Sequence, residues 1–152
     1  GELSKTRGIP LIEDSAHALL ACYDDKPLGS FGAAAALSFH QTKNFSAGEG
    51  GALLVNDPAL VERAEILWEK GTNRKKFFRG EVDKSTWVDV GSSFLASELT
   101  TAFLWGQLAH AEAIQAGRMR AWNQYRMLLE PLETEGYCTL PVVPERCRHV
   151  AH

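Results

Sequence analysis

Lys43 stands in an unusual place in this sequence. An apolar run from Ala33 to Leu37 leads into Ser38-Phe39-His40-Gln41-Thr42-Lys43-Asn44-Phe45-Ser46-Ala47-Gly48-Glu49-Gly50-Gly51, and a second apolar run, Ala52 to Val55, follows. Lysine ordinarily keeps its ammonium in water; one held between two buried strands is easier to keep neutral and nucleophilic. The chemistry that suits such an amine is a Schiff base with a carbonyl compound. A second group is placed to help it. Ile9-Pro10-Leu11-Ile12-Glu13-Asp14 is a short apolar run ending in two acids, read as a buried parallel strand with Asp14 at its C-terminal end. In an open α/β sheet, Asp14 and Lys43 would both project at the edge where ligands bind.

A carboxylate and a lysine amine at one sheet edge suit pyridoxal phosphate. The acid would keep the pyridine nitrogen protonated, so that the ring accepts electrons, and the lysine would hold the aldehyde. The hydroxyls of Ser38 and Ser46 could donate to the phosphate, and Gly48, Gly50 and Gly51 would let backbone N–H groups approach it. Each residue also has an ordinary reading. An Asp after a strand caps a helix, a loop lysine is solvated, and Gly-Glu-Gly-Gly marks a turn. His17 and His40 read singly as packed or hydrogen-bonded histidines. One at a time the ordinary readings prevail; in combination the cofactor reading overtakes them.

The elements that must position these groups follow from pattern. Ser15 to Cys22 reads as a turn or short helix, and Asp24 to Ser30 as a loop. Asp57-Pro58 is a helix start, with Leu60, Ala64, Leu67 and Trp68 at helical spacing and Gly71 as the stop. Residues 71 to 91 form a long polar and aromatic loop holding Arg74, Lys75, Lys76, Arg79 and Lys84. Structureless loops of about 20 residues are uncommon unless functional. Arg74-Lys75-Lys76 reads as a solvated run that a diphosphate could use, and Phe77, Phe78 and Trp87 as packing or a base-stacking platform. Ser97-Glu98 opens one long helix running to about Glu135, with Leu104, Leu108, Ala111, Trp122, Tyr125 and Leu129 on one side. After Gly136, Tyr137 to Leu140 reads as a strand of a second unit.

Composition narrows the function classes. The chain has 152 residues, 45% of them hydrophobic, enough for one ordinary core. A net charge of −3 gives no pull toward nucleic acid or an anionic membrane. No apolar stretch approaches the roughly 20 residues of a membrane span. Cys22, Cys138 and Cys147 lack paired spacing and suit reduced thiols of a cytoplasmic protein. Cys147-Arg148-His149 with His152 has no second ligand pair at zinc spacing, so no metal site is expected. The ends read as cut from a longer polypeptide.

Glu13-Asp14-Ser15-Ala16-His17-Ala18, Ser38-Phe39-His40-x-x-Lys43 and Gly48-Glu49-Gly50-Gly51 together resemble the sugar aminotransferase family called DegT/DnrJ/EryC1/StrS. The resemblance implies the aspartate-aminotransferase-like α/β fold (fold type I) and pyridoxal 5'-phosphate. Residues 1–96 would be the C-terminal part of the large cofactor-binding domain, 97–135 a connecting helix, and 136–152 the start of a truncated small domain. Lys43 matches the Schiff-base lysine and catalytic residue, Asp14 the carboxylate at the pyridine nitrogen, and His17 the residue near the ring hydroxyl. Ser38 matches the phosphate-contacting serine. Ser93 falls where many relatives carry an asparagine that reaches the neighbouring subunit's phosphate.

The stretch Lys70-Gly71-Thr72-Asn73-Arg74, Phe77-Phe78-Arg79-Gly80, Val82-Asp83-Lys84 and Thr86-Trp87-Val88-Asp89-Val90-Gly91-Ser92-Ser93 narrows the resemblance. It is similar to the branch that aminates C4 of dTDP-4-oxo-6-deoxyglucose with L-glutamate. Arg74 and Arg79 would there meet the nucleotide diphosphate. A homodimer with a shared active site is implied. The resemblance leaves room for another keto sugar nucleotide, or for a non-catalytic relative that keeps the fold. Deoxysugar dehydratases resemble the same pattern but carry histidine where Lys43 stands. The family's earlier half, with its Gly-Thr phosphate cup and stacking aromatic, is not in this sequence, so the 152 residues alone are not expected to transaminate.

Overall fold

A computed structural model describes residues 1–152. Helix α1 (Glu2–Arg7) leads to strand β1 (Ile12–Asp14); β2 (Cys22–Tyr23) and β3 (Lys26–Pro27) make a tight hairpin, followed by β4 (Ala34–Ser38) and β5 (Gly51–Val55). A 3-10 turn at Pro58–Leu60 opens α2 (Val61–Trp68), and α3 (Arg74–Phe78), α4 (Glu98–Leu108), α5 (Ala111–Thr134) and β6 (Cys147–Arg148) complete the chain. The architecture is α/β.

One small sheet carries the candidate residues, in the order β1-β4-β5. β1 runs parallel to β4, with Asp14 opposite Ala36, so both strands end at the same edge. β5 returns antiparallel, with Ser38 opposite Gly51. The segment between β4 and β5 is the lysine loop, and its position is therefore set by a hairpin whose two strands pair along their full length. Ala34 and Ala35 are buried beneath it, and Phe39 and Phe45 plug the region where β4 leaves the sheet. Small alanines at these positions let the neighbouring layers approach closely.

Several expectations change. The strand begins at Ile12 and not Ile9, and it is not buried: Ile9 is 63% and Ile12 62% exposed. The reason is positional, since β1 is the edge of its sheet and pairs only with β4. Asp57 does cap its helix, accepting from the Ala59 N–H at 2.9 Å, but the first turn is 3-10. Gly71, at φ 75°, closes that helix by donating to the Ile66 carbonyl. The single helix expected over 97–135 is two helices. At the junction the His110 N–H bonds back to Gln107, three residues away, and the α-ladder is interrupted there. No Gly or Pro occupies positions 108–110, although Gly106 lies just before the junction, and the Gln107 side chain there is anchored to the lysine loop, as described below. Tyr137–Leu140 is not a strand. Instead the chain returns at β6, where Cys147 pairs opposite Tyr23 of β2.

The long loop of residues 71–91 is ordered from within. Gly71 and Gly91 cross so closely that a Cβ on Gly91 would lie 2.1 Å from the Gly71 nitrogen. Val88 and Asp89 both donate to the Gly71 carbonyl, and Lys70 donates to Ser92.

Candidate active site

Lys43 is half-buried in a small cavity at the carboxyl edge of the β1–β4 pair. His17, Ser38, Asn44, Phe45 and His152 line it with Lys43. The Lys43 Nζ contacts His17 Nε2 directly. The His17 ring stacks on that of His152, centroids 3.8 Å apart and planes 19° from parallel. Burial, and then the neighbouring charges of His17, Lys43 and Arg118, push the His152 imidazole below its usual pKa.

The loop around the lysine is tied down residue by residue. The Lys43 N–H donates to the His40 carbonyl at 2.9 Å, and the Ala47 N–H to the Phe39 carbonyl at 2.7 Å. His40 Nδ1 accepts from the Thr42 N–H at 3.2 Å, which places the ring proton on Nε2, near Glu49 at 3.6 Å. Ser38 Oγ accepts from the His40 N–H at 3.3 Å, which leaves its own proton free to donate. The Asn44 amide donates to the Ala151 carbonyl at 2.8 Å, while its Oδ1 is buried without a partner. Gly48 and Gly50 serve the hairpin: the Gly48 N–H donates to Ser46 Oγ, and the Gly50 carbonyl accepts from Phe39. They do not line the Lys43 cavity.

Asp14 sits at the same sheet edge, where its Oδ1 accepts from the Ala16 N–H at 3.1 Å. That bond is the local turn role of an Asx residue, and it leaves Oδ2 for another partner. Its neighbour Glu13 points the other way, as strand alternation requires. The Glu13 carboxylate accepts from the N–H groups of Gly29, Phe31 and Gly32 at 2.8, 2.6 and 2.7 Å. Burial raises its pKa, but those three donors and Lys26 outweigh it, and the net shift is below the usual carboxylate range.

The remaining candidates lie apart. Ser93 bridges backbone to backbone with Glu69 and does not reach the Lys43 cavity. Arg74 faces a separate cavity of about 410 Å³ with Lys70, Phe78, Thr86 and Trp87. It lies 5.2 Å over the Phe78 ring and 3.5 Å from the buried carboxylate of Glu69. Arg79 is already spent: it is bidentate to Glu65 at 2.8 and 3.0 Å and donates to Glu81 at 2.6 Å. A diphosphate at Arg79 would have to compete with these two carboxylates. Sequence reasoning missed Glu13, Asn44, His152 and Gln107. Glu13 and Asn44 flank recognised residues, but their roles depend on contacts 16 and 107 positions away, which no local pattern reports.

A family model described as the DegT/DnrJ/EryC1/StrS aminotransferase family matches residues 1–152. The UDP-4-amino-4,6-dideoxy-N-acetyl-beta-L-altrosamine transaminase of Helicobacter pylori is 33% identical over 82% of this chain and 32% of its own length. The solved aminotransferase from Psychrobacter cryohalolentis superposes at TM-score 0.85 with 24% identity, over 97% of this chain and 40% of that one. DesI, solved in the presence of its TDP-sugar product, superposes at TM-score 0.71 with 30% identity, over 84% of this chain and 30% of that one. The chain spans about a third of the length of the curated relatives it matches.

Proposed function

Because this chain belongs to the DegT/DnrJ/EryC1/StrS aminotransferase family, we propose that the protein carrying it is a pyridoxal phosphate-dependent aminotransferase of a nucleotide sugar. Its fold is the α/β aminotransferase fold, fold type I. The proposed reaction moves the amino group of L-glutamate to C4 of dTDP-4-oxo-6-deoxyglucose, giving dTDP-4-amino-4,6-dideoxygalactose and 2-oxoglutarate. A cytoplasmic homodimer with shared active sites, and a large domain through residue 96 joined by residues 97–135 to a small domain beginning at 136, belong to the same reading.

One observation carries it: a half-buried lysine amine, an imidazole and a serine hydroxyl share one cavity at the strand edge that also bears Asp14. That donor set fits the cofactor, and the orphaned Asn44 Oδ1 marks the cavity as a polar site with an unmet partner. Lys43 would hold the aldehyde, Asp14 the ring nitrogen, His17 the ring-hydroxyl edge and Ser38 the phosphate; Ser93 would serve a neighbouring subunit's phosphate. When bound, the cofactor supplies an electrophilic carbon and an electron-accepting ring on which the amino group is carried. Lys43, freed by the incoming amine, takes the proton from the α carbon of glutamate and returns one to the sugar's C4 in the second half-reaction. His17, in contact with the Lys43 amine, orients it and exchanges protons with it.

Arg74, lining the cavity with Trp87 and Phe78 and held there by a single long contact to Glu69, is the arginine we assign to the diphosphate. The thymidine sugar is supported by the motif pattern of residues 70–93 and by DesI, a relative crystallised with a TDP-sugar. The test is amino transfer by the intact protein across a panel of dTDP- and UDP-keto sugars, read by product mass. Preference for a UDP sugar, or amination at a carbon other than C4, would overturn the substrate assignment.

A further inference from the structure

We propose that Gln107 is a positioning residue for Lys43, acting through the backbone of Ser46; the inference rests on the reading of Lys43 given above. The Gln107 amide makes two bonds to one residue of the lysine loop. Its Oε1 accepts from the Ser46 N–H at 3.1 Å, and its Nε2 donates to the Ser46 carbonyl. A planar amide that donates and accepts side by side copies a strand partner, and among side chains only Gln and Asn carry that pair of groups.

The loop has no slack in which to absorb a change there. It is closed at its base by the Ala47–Phe39 bond, fixed at Lys43 by His40, and plugged by Phe45, which is 2% exposed. Asn44 is tied to Ala151 on the other side. Gln107 thus fastens the loop to the last turn of α4, where the α-ladder stops. If Ser46 lets go, the peptide units between His40 and Ala47 must take up the motion, and Lys43 lies among them. Misplacing a reacting group by about 1 Å costs on the order of 100-fold in rate.

The test uses the intact protein with Gln107→Met, which keeps length and removes both hydrogen bonds, and Gln107→Glu, which keeps the acceptor and removes the donor. Three readouts are taken: hydrogen exchange at the Ser46 amide, acylation of Lys43 by acetic anhydride in the cofactor-free protein with Lys5 as reference, and steady-state kinetics. For Gln107→Met, Ser46 exchange should quicken and Lys43 acylation should rise several-fold. Its kcat should fall by on the order of 10- to 100-fold with KM for the amino donor little changed. Gln107→Glu should keep Ser46 protected and fall between the two. Unchanged Lys43 acylation and kcat in Gln107→Met would overturn the proposal, as would Gln107→Glu matching Gln107→Met in all three readouts. A wild-type protein that takes up no pyridoxal phosphate would instead defeat the functional reading, while exchange and acylation still decide the role of Gln107.

Discussion

Two histidines from distant parts of the chain line the Lys43 cavity, and only one of them stands in a recognisable motif. His17 sits in the Glu13–Ala18 pattern, whereas His152 arrives through the return of β6 and stacks on it. The sign of its pH dependence follows from burial. A histidine held below its ordinary value near 6.5 favours the neutral form in the native state. The unfolded chain then binds more protons, so the stack contributes stability above that value and loses it as the pH falls below. Thermal melts of the intact protein should therefore decline from pH 7 to 5.5, and His152→Phe, which keeps an aromatic partner, should flatten that slope. Glu13 behaves similarly in a lower window. Its lowered carboxylate contributes stability above about pH 4.5 that is lost on further acidification. Glu13→Ala leaves three backbone donors without their acceptor and should cost about 2–3 kcal/mol in denaturant unfolding. The placement of Asp14 and Lys43 at one sheet edge was legible, because two apolar runs frame the lysine and a third ends at Asp14. The role of Glu13 was not, because its partners fold back from the segment before β4.

Among the elements, the sheet edge was the most readable. Two apolar runs around a lysine and a third ending in acids predict a strand edge, and β1, β4 and β5 build it. The helical pattern of residues 97–135 was read correctly as helix and wrongly as one helix. Periodicity reports which face is apolar, but it does not report the backbone bond from His110 to Gln107 at which the ladder is interrupted. The segment between α2 and α4 is held by backbone crossing at Gly71 and Gly91. Gly91→Ala would place a Cβ against the Gly71 backbone and should destabilise by about 1–3 kcal/mol, seen as a lowered melting temperature. Within that segment the two arginines separate. Arg74→Ala should raise KM for the nucleotide sugar on the order of tenfold, the scale of one charge-assisted hydrogen bond. Arg79→Ala, whose fork is spent on Glu65 and Glu81, should leave that KM within about threefold.

For the whole molecule, surface is the deciding quantity. The chain exposes 10946 Å², whereas a folded monomer of its mass exposes about 7,600 Å². Only 12 of 152 residues are buried, and Leu99, Phe103, Trp105 and Val90 are each more than 60% exposed. So many exposed large apolar side chains leave this chain short of the partners a folded core supplies; it spans about a third of a relative's length. The 152 residues expressed alone should bind a hydrophobic dye and melt without a sharp transition. Composition placed the chain among globular proteins but could not report this, since apolar content does not say which apolar faces find partners. The most direct measurement of the central claim is the visible absorbance of the intact protein with pyridoxal phosphate, followed through one cycle. Wild type should gain a cofactor band that bleaches with L-glutamate and returns on adding dTDP-4-oxo-6-deoxyglucose, while Lys43→Ala should lack the glutamate response and transfer amino groups at least about 100-fold more slowly. A Lys43→Ala protein that still bleaches and transfers like wild type would contradict the assignment of this site.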